Sequence, residues 1–387
     1  MFGLPRAVLV LSLVSLFNDM ASEMVVPLIP VLLAAVLSAG PVALGLVEGV
    51  ADAVASMLKL WSGRHSDQMG GRRKGLALSG YMISNLVRPA IALAGSWPVL
   101  LVLRSLDRVG KGLRDAPRDA LVADYTPGHI RGLAFGVHRA FDNTGAVAGS
   151  LIAAFALWQG VSLLHVIELS ALPGLLAVTL VGFGVSSPPP AEHPLPAPPA
   201  ALRWKHLPVS LRRYLWLLMV FTFARGSETF LVLRGHELGM TPTSLLLLWA
   251  LMSFSKALTS IRGGRLADRW GKLPVIRLAW FAYGLGFLSL SMISSVQDLW
   301  LVTALYGVLA GFSEGPERAL VGEGIAIDNR GSAYGWYHLI TGLAAVPGGA
   351  LFGLVWQQFG AGAAFGYAGG LALCVSALSW WLLKPDQ

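Results

Sequence analysis

The feature that most constrains this chain is a succession of long apolar runs separated by short stretches of Gly, Pro or charge. A helix of about 20 apolar residues matches the ~30 Å hydrocarbon core of a bilayer. In lipid only helices and closed barrels satisfy every backbone group. Twelve such runs fall at 7–36, 41–61, 75–94, 98–123, 132–157, 162–185, 214–233, 243–261, 275–294, 299–324, 332–356 and 361–383. The fold class expected is an all-α polytopic membrane protein with twelve transmembrane helices. Runs four and ten hold enough polar residues that hydropathy alone marks them weakly. Charged residues make up 13% of the 387 positions, against about 25% in a soluble domain. So few charges do not cover a water-facing surface, which excludes a soluble enzyme or a nucleic-acid-binding domain. The single cysteine, Cys374, excludes a disulfide scaffold. The first run is too long for the apolar part of a signal peptide.

The net charge of +8 is read as basic cytoplasmic loops. The turn after run two carries Arg64, Arg72, Arg73 and Lys74, and the turn after run eight carries Arg262, Arg265, Arg269 and Lys272. The turns at 38–41 and 158–161 carry no basic residue. Basic loops stay inside, so both termini are expected in the cytoplasm. Between runs six and seven lie Pro188, Pro189, Pro190, Pro194, Pro196, Pro198 and Pro199, followed by Arg203, Lys205, Arg212 and Arg213. That composition makes a semi-rigid, polyproline-like linker. The expected domains are a six-helix bundle at 1–185, a cytoplasmic linker at 186–213 and a second six-helix bundle at 214–387.

The two halves repeat each other. A-P-R-D-A-L-V at 116–122 matches G-P-E-R-A-L-V at 315–321, an offset of 199, and at the same offset Arg131-Gly132 and Gly136 match Arg330-Gly331 and Gly335. The turn beginning Gly63-Arg64 matches the one beginning Gly264-Arg265 at 201, and Ser22-Glu23 matches Ser227-Glu228 at 205. Parallel repeats of this kind place a substrate site near mid-membrane between the halves.

These motifs resemble those of the major facilitator superfamily. Its cytoplasmic turn after the second helix, G-x-L-x-D-R-x-G-R-R/K, stands here as Gly63, His65, Asp67, Gln68, Gly70, Gly71, Arg72, Arg73 and Lys74, with a second copy at Gly264, Leu266, Asp268, Arg269, Gly271 and Lys272. The resemblance implies that this turn latches one access state, a role carried to Asp67 and Asp268. Arg104, Gly110 and Gly112 resemble the R-x-x-Q-G-x-G element, with Asp107 and Arg108 where that element has Gln-Gly. Gly136, Gly145 and Gly149 keep the glycine spacing of the antiporter signature, and Ser150 takes the place of its Pro. The resemblance implies a monomeric secondary transporter in a bacterial inner membrane, working by alternating access. It would need no cofactor, draw on the proton gradient and export a small solute. No HExxH motif suggests an enzyme, and no P-loop is present.

Charges inside membrane helices carry most of the functional information, because each costs about 2.5–3.5 kcal/mol at mid-helix unless paired or hydrated. Asp19 and Glu23 share a helix face. With Arg139, Asp142, Arg225 and Glu228 they form the expected substrate and proton set in the central cavity. Glu23 and Glu228, at matching places in the repeat, are the expected proton carriers, with Arg225 holding Glu228 ionised. A second set is Arg104, Arg114, Asp115, Arg118 and Asp119 in run four and Glu314, Glu317 and Arg318 in run ten. These are expected to form salt bridges across the halves that gate access. His138 is a further titratable candidate. Asn18, Asp19, Glu23 and Glu48 would supply hard oxygen ligands to a divalent metal cargo, and Lys111, Arg114, Arg118 and Arg139 would suit uptake of an organic anion. The tryptophans, among them Trp249, Trp280 and Trp356, read as interfacial anchors.

Overall fold

The computed structural model describes residues 4–68, 73–126, 131–185, 204–321 and 330–383. Helix α1 (Arg6–Glu23) ends where Pro27 lacks an N–H and its ring would meet the carbonyl of Glu23. The chain continues through short irregular turns, Val26–Leu28, Ile29–Val31 and Leu32–Val36. Then come α2 (Pro41–Gln68), α3 (Arg73–Ala90), α4 (Trp97–Tyr125), α5 (Arg131–Trp158), α6 (Leu163–Leu169) and α7 (Ala171–Gly184). The second half supplies α8 (Val209–Arg225), α9 (Thr229–Glu237), α10 (Pro242–Trp270), α11 (Lys272–Ser291), α12 (Val296–Val321) and α13 (Arg330–Leu382).

Among the described residues nine helical stretches are long and apolar enough to cross a membrane. The 53 residues of α13 would span about 80 Å if straight. Gly360, at φ 86° and ψ 170°, breaks it into two arms. Run ten, expected to be weak, qualifies at Val296–Ser313, whereas α4 and α10 are not among the nine. For α4 the reason is its dense charge, most of it neutralised by partners described below.

The repeat is visible in the backbone. Gly160 and Gly360, 200 residues apart, both take left-handed φ values, 85° and 86°, and Ser38 and Gly239 do so at 50° and 82°. Side-chain-free positions recur too. A Cβ on Gly112 would stand 2.9 Å from the Ala55 carbonyl of α2, and one on Gly311 would stand 2.5 Å from the Lys256 carbonyl of α10. α1 and α8 end at equivalent places by different devices, Pro27 in the first and left-handed Gly226 (φ 49°) in the second.

The residues cluster into two compact units. One comprises 1–32, 54–198 and 242–250; the other comprises 33–53, 199–241 and 251–387. Within the first, α5 lies directly on α1, because a Cβ on Gly145 or Gly149 would collide with the carbonyls of Leu16 and Met20. Within the second, Gly49 of α2 leaves room for Ala345 and Val346 of α13, its would-be Cβ only 2.7 Å from the Ala345 carbonyl.

Candidate functional site

In the first unit a continuous chain of side-chain hydrogen bonds runs from α1 through α3 to α4. Asn18 Nδ2 donates to Asp19 Oδ1 at 3.1 Å, and Asn18 Oδ1 accepts from Asn85 Nδ2 at 3.2 Å. Asn85 Oδ1 accepts from Arg88 Nη1 at 2.9 Å. Arg88 Nη2 reaches Asp107 Oδ1 at 3.0 Å, and Arg104 Nη1 reaches Asp107 Oδ2 at 3.2 Å. None of Arg88, Arg104 and Asp107 is more than 2% exposed. Two guanidiniums thus share one carboxylate, and the buried triad carries one excess positive charge. Charge-assisted bonds to both oxygens are what let it persist away from water.

Further along α4, Arg114 and Arg118 turn to neighbours in the same unit. Arg114 donates to Ser84 Oγ at 2.6 Å and lies over the Tyr81 ring. Arg118 bonds Asp119 at 2.9 Å and Ser15 Oγ at 3.2 Å. Lys59 of α2 pairs with Asp115 at 3.1 Å. On α5, buried Asp142 lies 3.5 Å from exposed Arg139 and 3.8 Å from His138.

Asp19 and Glu23 differ from these. Glu23 Oε2 accepts from the indole Nε1 of Trp249 on α10 at 2.6 Å. Among the described residues, the donors on both carboxylates are neutral, an amide for Asp19 and an indole for Glu23. The charges that act on Asp19 are Asp142 on α5 and Lys111, Arg114 and Arg118 on α4. Those acting on Glu23 are Asp19, Lys111 and Arg108.

The second unit holds a more closed arrangement. Glu317, fully buried, accepts from Arg225 Nη1 at 3.2 Å and from Trp280 Nε1 at 3.0 Å, and the Tyr214 hydroxyl donates to its backbone carbonyl at 3.2 Å. Trp280 stacks on Phe221, ring centroids 4.6 Å apart. Glu228 pairs with Lys256 at 2.6 Å, and Trp356 Nε1 donates to Glu237 at 2.7 Å.

The Major Facilitator Superfamily profile matches residues 11–233 and 215–387. The chain belongs to the major facilitator superfamily. An uncharacterized MFS-type transporter of Methanocaldococcus jannaschii is 30% identical over 361 residues, covering 92% of this chain and 89% of its own. The nucleoside transporter NupG has the same fold at a TM-score of 0.76, with 12% identity over 99% of this chain and 100% of that one. A D-xylose-proton symporter does so at 0.74, with 14% identity over 98% of each chain. As a member of the superfamily this is an integral membrane transporter of the all-α MFS fold, and not an enzyme.

Several expected contacts are corrected. Gly226 ends α8, so Arg225 and Glu228 do not share a helix face; Arg225 pairs with Glu317 and Glu228 with Lys256. Arg114, Arg118, Asp119 and Glu317 have the partners named above within their own units. Trp249, Trp280 and Trp356, expected as interfacial anchors, donate their indole N–H groups to Glu23, Glu317 and Glu237. Asn85 and Arg88 were missed because run three reads as a plain apolar span; a buried-side Asn and Arg three residues apart were the available signal.

The MFS turn motifs are covered only in part. Gly63 lies in α2, Arg73 pairs with Asp124 at the end of α4, and Gly271 (φ 87°) is the left-handed residue before α11. Gly70 and Arg72 lie outside the described residues, as do the side chains of Asp67, Asp268, Glu314 and Arg318 and the detail at Gly264.

Proposed function

We propose that this transporter is a proton-coupled antiporter that exports a small organic solute by alternating access. The observation that carries the reading is the company of Asp19 and Glu23. Protonating Asp107, Asp115, Glu228 or Glu317 would break an ion pair. Such a loss is costly away from water. Among the described residues, protonating Glu23 breaks none, since its donor is a neutral indole, so a proton enters and leaves there without dismantling the fold. In antiport the proton and the solute compete for one acceptor, and an ionised Glu23 offers its oxygens to a donor on the solute. The Gly145 and Gly149 spacing, kept from the antiporter signature, supports the same reading by seating α5 against the α1 turn that carries Asp19 and Glu23.

A divalent metal cargo is less well supported. Among the described residues no group of three or more His, Cys, Asp or Glu is placed to hold an ion. Of the expected ligands, the Asn18 oxygen is occupied by Asn85.

The test is transport in proteoliposomes under an imposed pH gradient. An antiporter accumulates solute in vesicles that are acidic inside, whereas a symporter needs the acid outside. Glu23→Gln is expected to abolish gradient-driven accumulation and to leave whatever solute exchange remains independent of pH. Uphill movement by Glu23→Gln at the wild-type rate would remove Glu23 as the coupling residue.

A further inference from the structure

Two cations in the middle of α4 lack what their neighbours have. Lys59, Arg88, Arg104, Arg114 and Arg118 each bond an acid or a hydroxyl. Among the described residues, Arg108 and Lys111 make neither a hydrogen bond nor an ion pair, and the Nε of Arg108 is buried without an acceptor. They are three residues apart on one helix face, where like charges repel. Lys59 adds a third positive charge to the field at Lys111, against Asp115 and Asp19. An unpaired cation within a membrane span is costly and marks a function by default.

The architecture does not require these charges. At the offset of 199 the second half has Gly307 and Ala310 in their places, and Gly307 packs closely against Met252 and Ser255 of α10. The same helix position therefore serves packing in one repeat and presents a guanidinium in the other.

We infer that Arg108 and Lys111 form a binding site for an acidic group, a carboxylate or a phosphate, on the transported solute. Both cations lie within the field of Glu23. Resting on the antiport reading, the solute also carries a basic group that displaces the proton at Glu23. The cargo is then a small zwitterion, its acid on α4 and its base on α1.

The experiment measures thermal unfolding of the purified full-length protein in phosphatidylcholine nanodiscs with three four-carbon probes: 4-aminobutyrate, succinate and putrescine. Ligands that bind only the folded state raise the midpoint. The zwitterion is expected to stabilise most and putrescine least. Arg108→Gln and Lys111→Gln should each raise the concentration for half-maximal shift about tenfold or more, with Arg108→Lys close to wild type. Arg108→Gly, the residue the second repeat carries, guards against a folding artefact and should behave as Arg108→Gln. No shift with 4-aminobutyrate or succinate, or equal shifts in wild type and variants, overturns the site. Stabilisation by phosphatidylglycerol alone, lost in Arg108→Gln, gives the pair to a lipid headgroup and overturns the cargo assignment. An Arg108-dependent shift without accumulation in acid-loaded vesicles defeats antiport and leaves the acid site standing; the reverse result defeats the site alone.

Discussion

Asp107 is the residue on which the buried charge of the first unit depends, since it alone neutralises Arg88 and Arg104 within the triad. Asp107→Asn would leave two guanidiniums facing an amide, a loss on the order of 3–5 kcal/mol by analogy with other buried pairs. Thermal unfolding should show a large fall for Asp107→Asn and a much smaller one for Arg104→Gln, which removes the excess charge and leaves Arg88 with Asp107. Equal midpoints for Asp107→Asn and wild type would mean that the triad is not a neutralising device. The three tryptophan-to-glutamate bonds follow another logic. An indole N–H satisfies one carboxylate oxygen without adding charge, and in Glu317 it shares the group with Arg225 while in Glu23 it is the side-chain donor.

At the scale of elements, glycine decides where helices touch. Gly149 has no room for even one methyl beside Met20, whereas Gly182 of α7 has open space around it. Gly149→Leu should therefore separate α5 from α1, displace Asp19 and Glu23 and abolish transport. Gly182→Ala should be neutral or stabilise by up to about 1 kcal/mol through helix propensity. Size-exclusion profiles and melting curves of the two variants check this directly, and a well-folded, active Gly149→Leu would refute the close packing. Helix ends follow the same economy. Pro27 stops α1 by removing a donor, and Gly226 stops α8 by taking a conformation other residues avoid.

At the scale of the whole molecule, the turns beginning at Gly63 and Gly264 repeat one motif, and the superfamily resemblance assigns both to latching one access state. Asp67→Asn and Asp268→Asn are expected to slow turnover several-fold with little change in KM, because they would bias the access equilibrium without touching solute. Cysteine labelling from the cytoplasmic side, in a Cys374→Ser background, should change in both. Normal turnover with unchanged labelling would reduce these turns to passive loops. The offsets of 199 to 201 that recur in motifs, in left-handed turns and in glycine contacts make the halves two copies of one plan. Arg108 and Lys111 mark where the copies diverge in chemistry.

The amino-acid sequence determined the class, the helices and the repeat, because each depends on local properties: the length of an apolar run, the spacing of glycines, the place of a proline. It named Asp19, Glu23, Arg225, Glu228 and Glu317 as charges that matter for the same reason, since a charge in hydrocarbon is visible in one dimension. What tertiary structure decided was partnership. Whether Glu228 meets Arg225 or Lys256 depends on a left-handed turn at Gly226 and on which helix comes alongside. Whether Trp249 anchors at an interface or holds Glu23 depends on contact across more than 200 residues of chain. Ion pairs and indole bonds are set by the meeting of distant helices, and no period in the sequence records which helices meet.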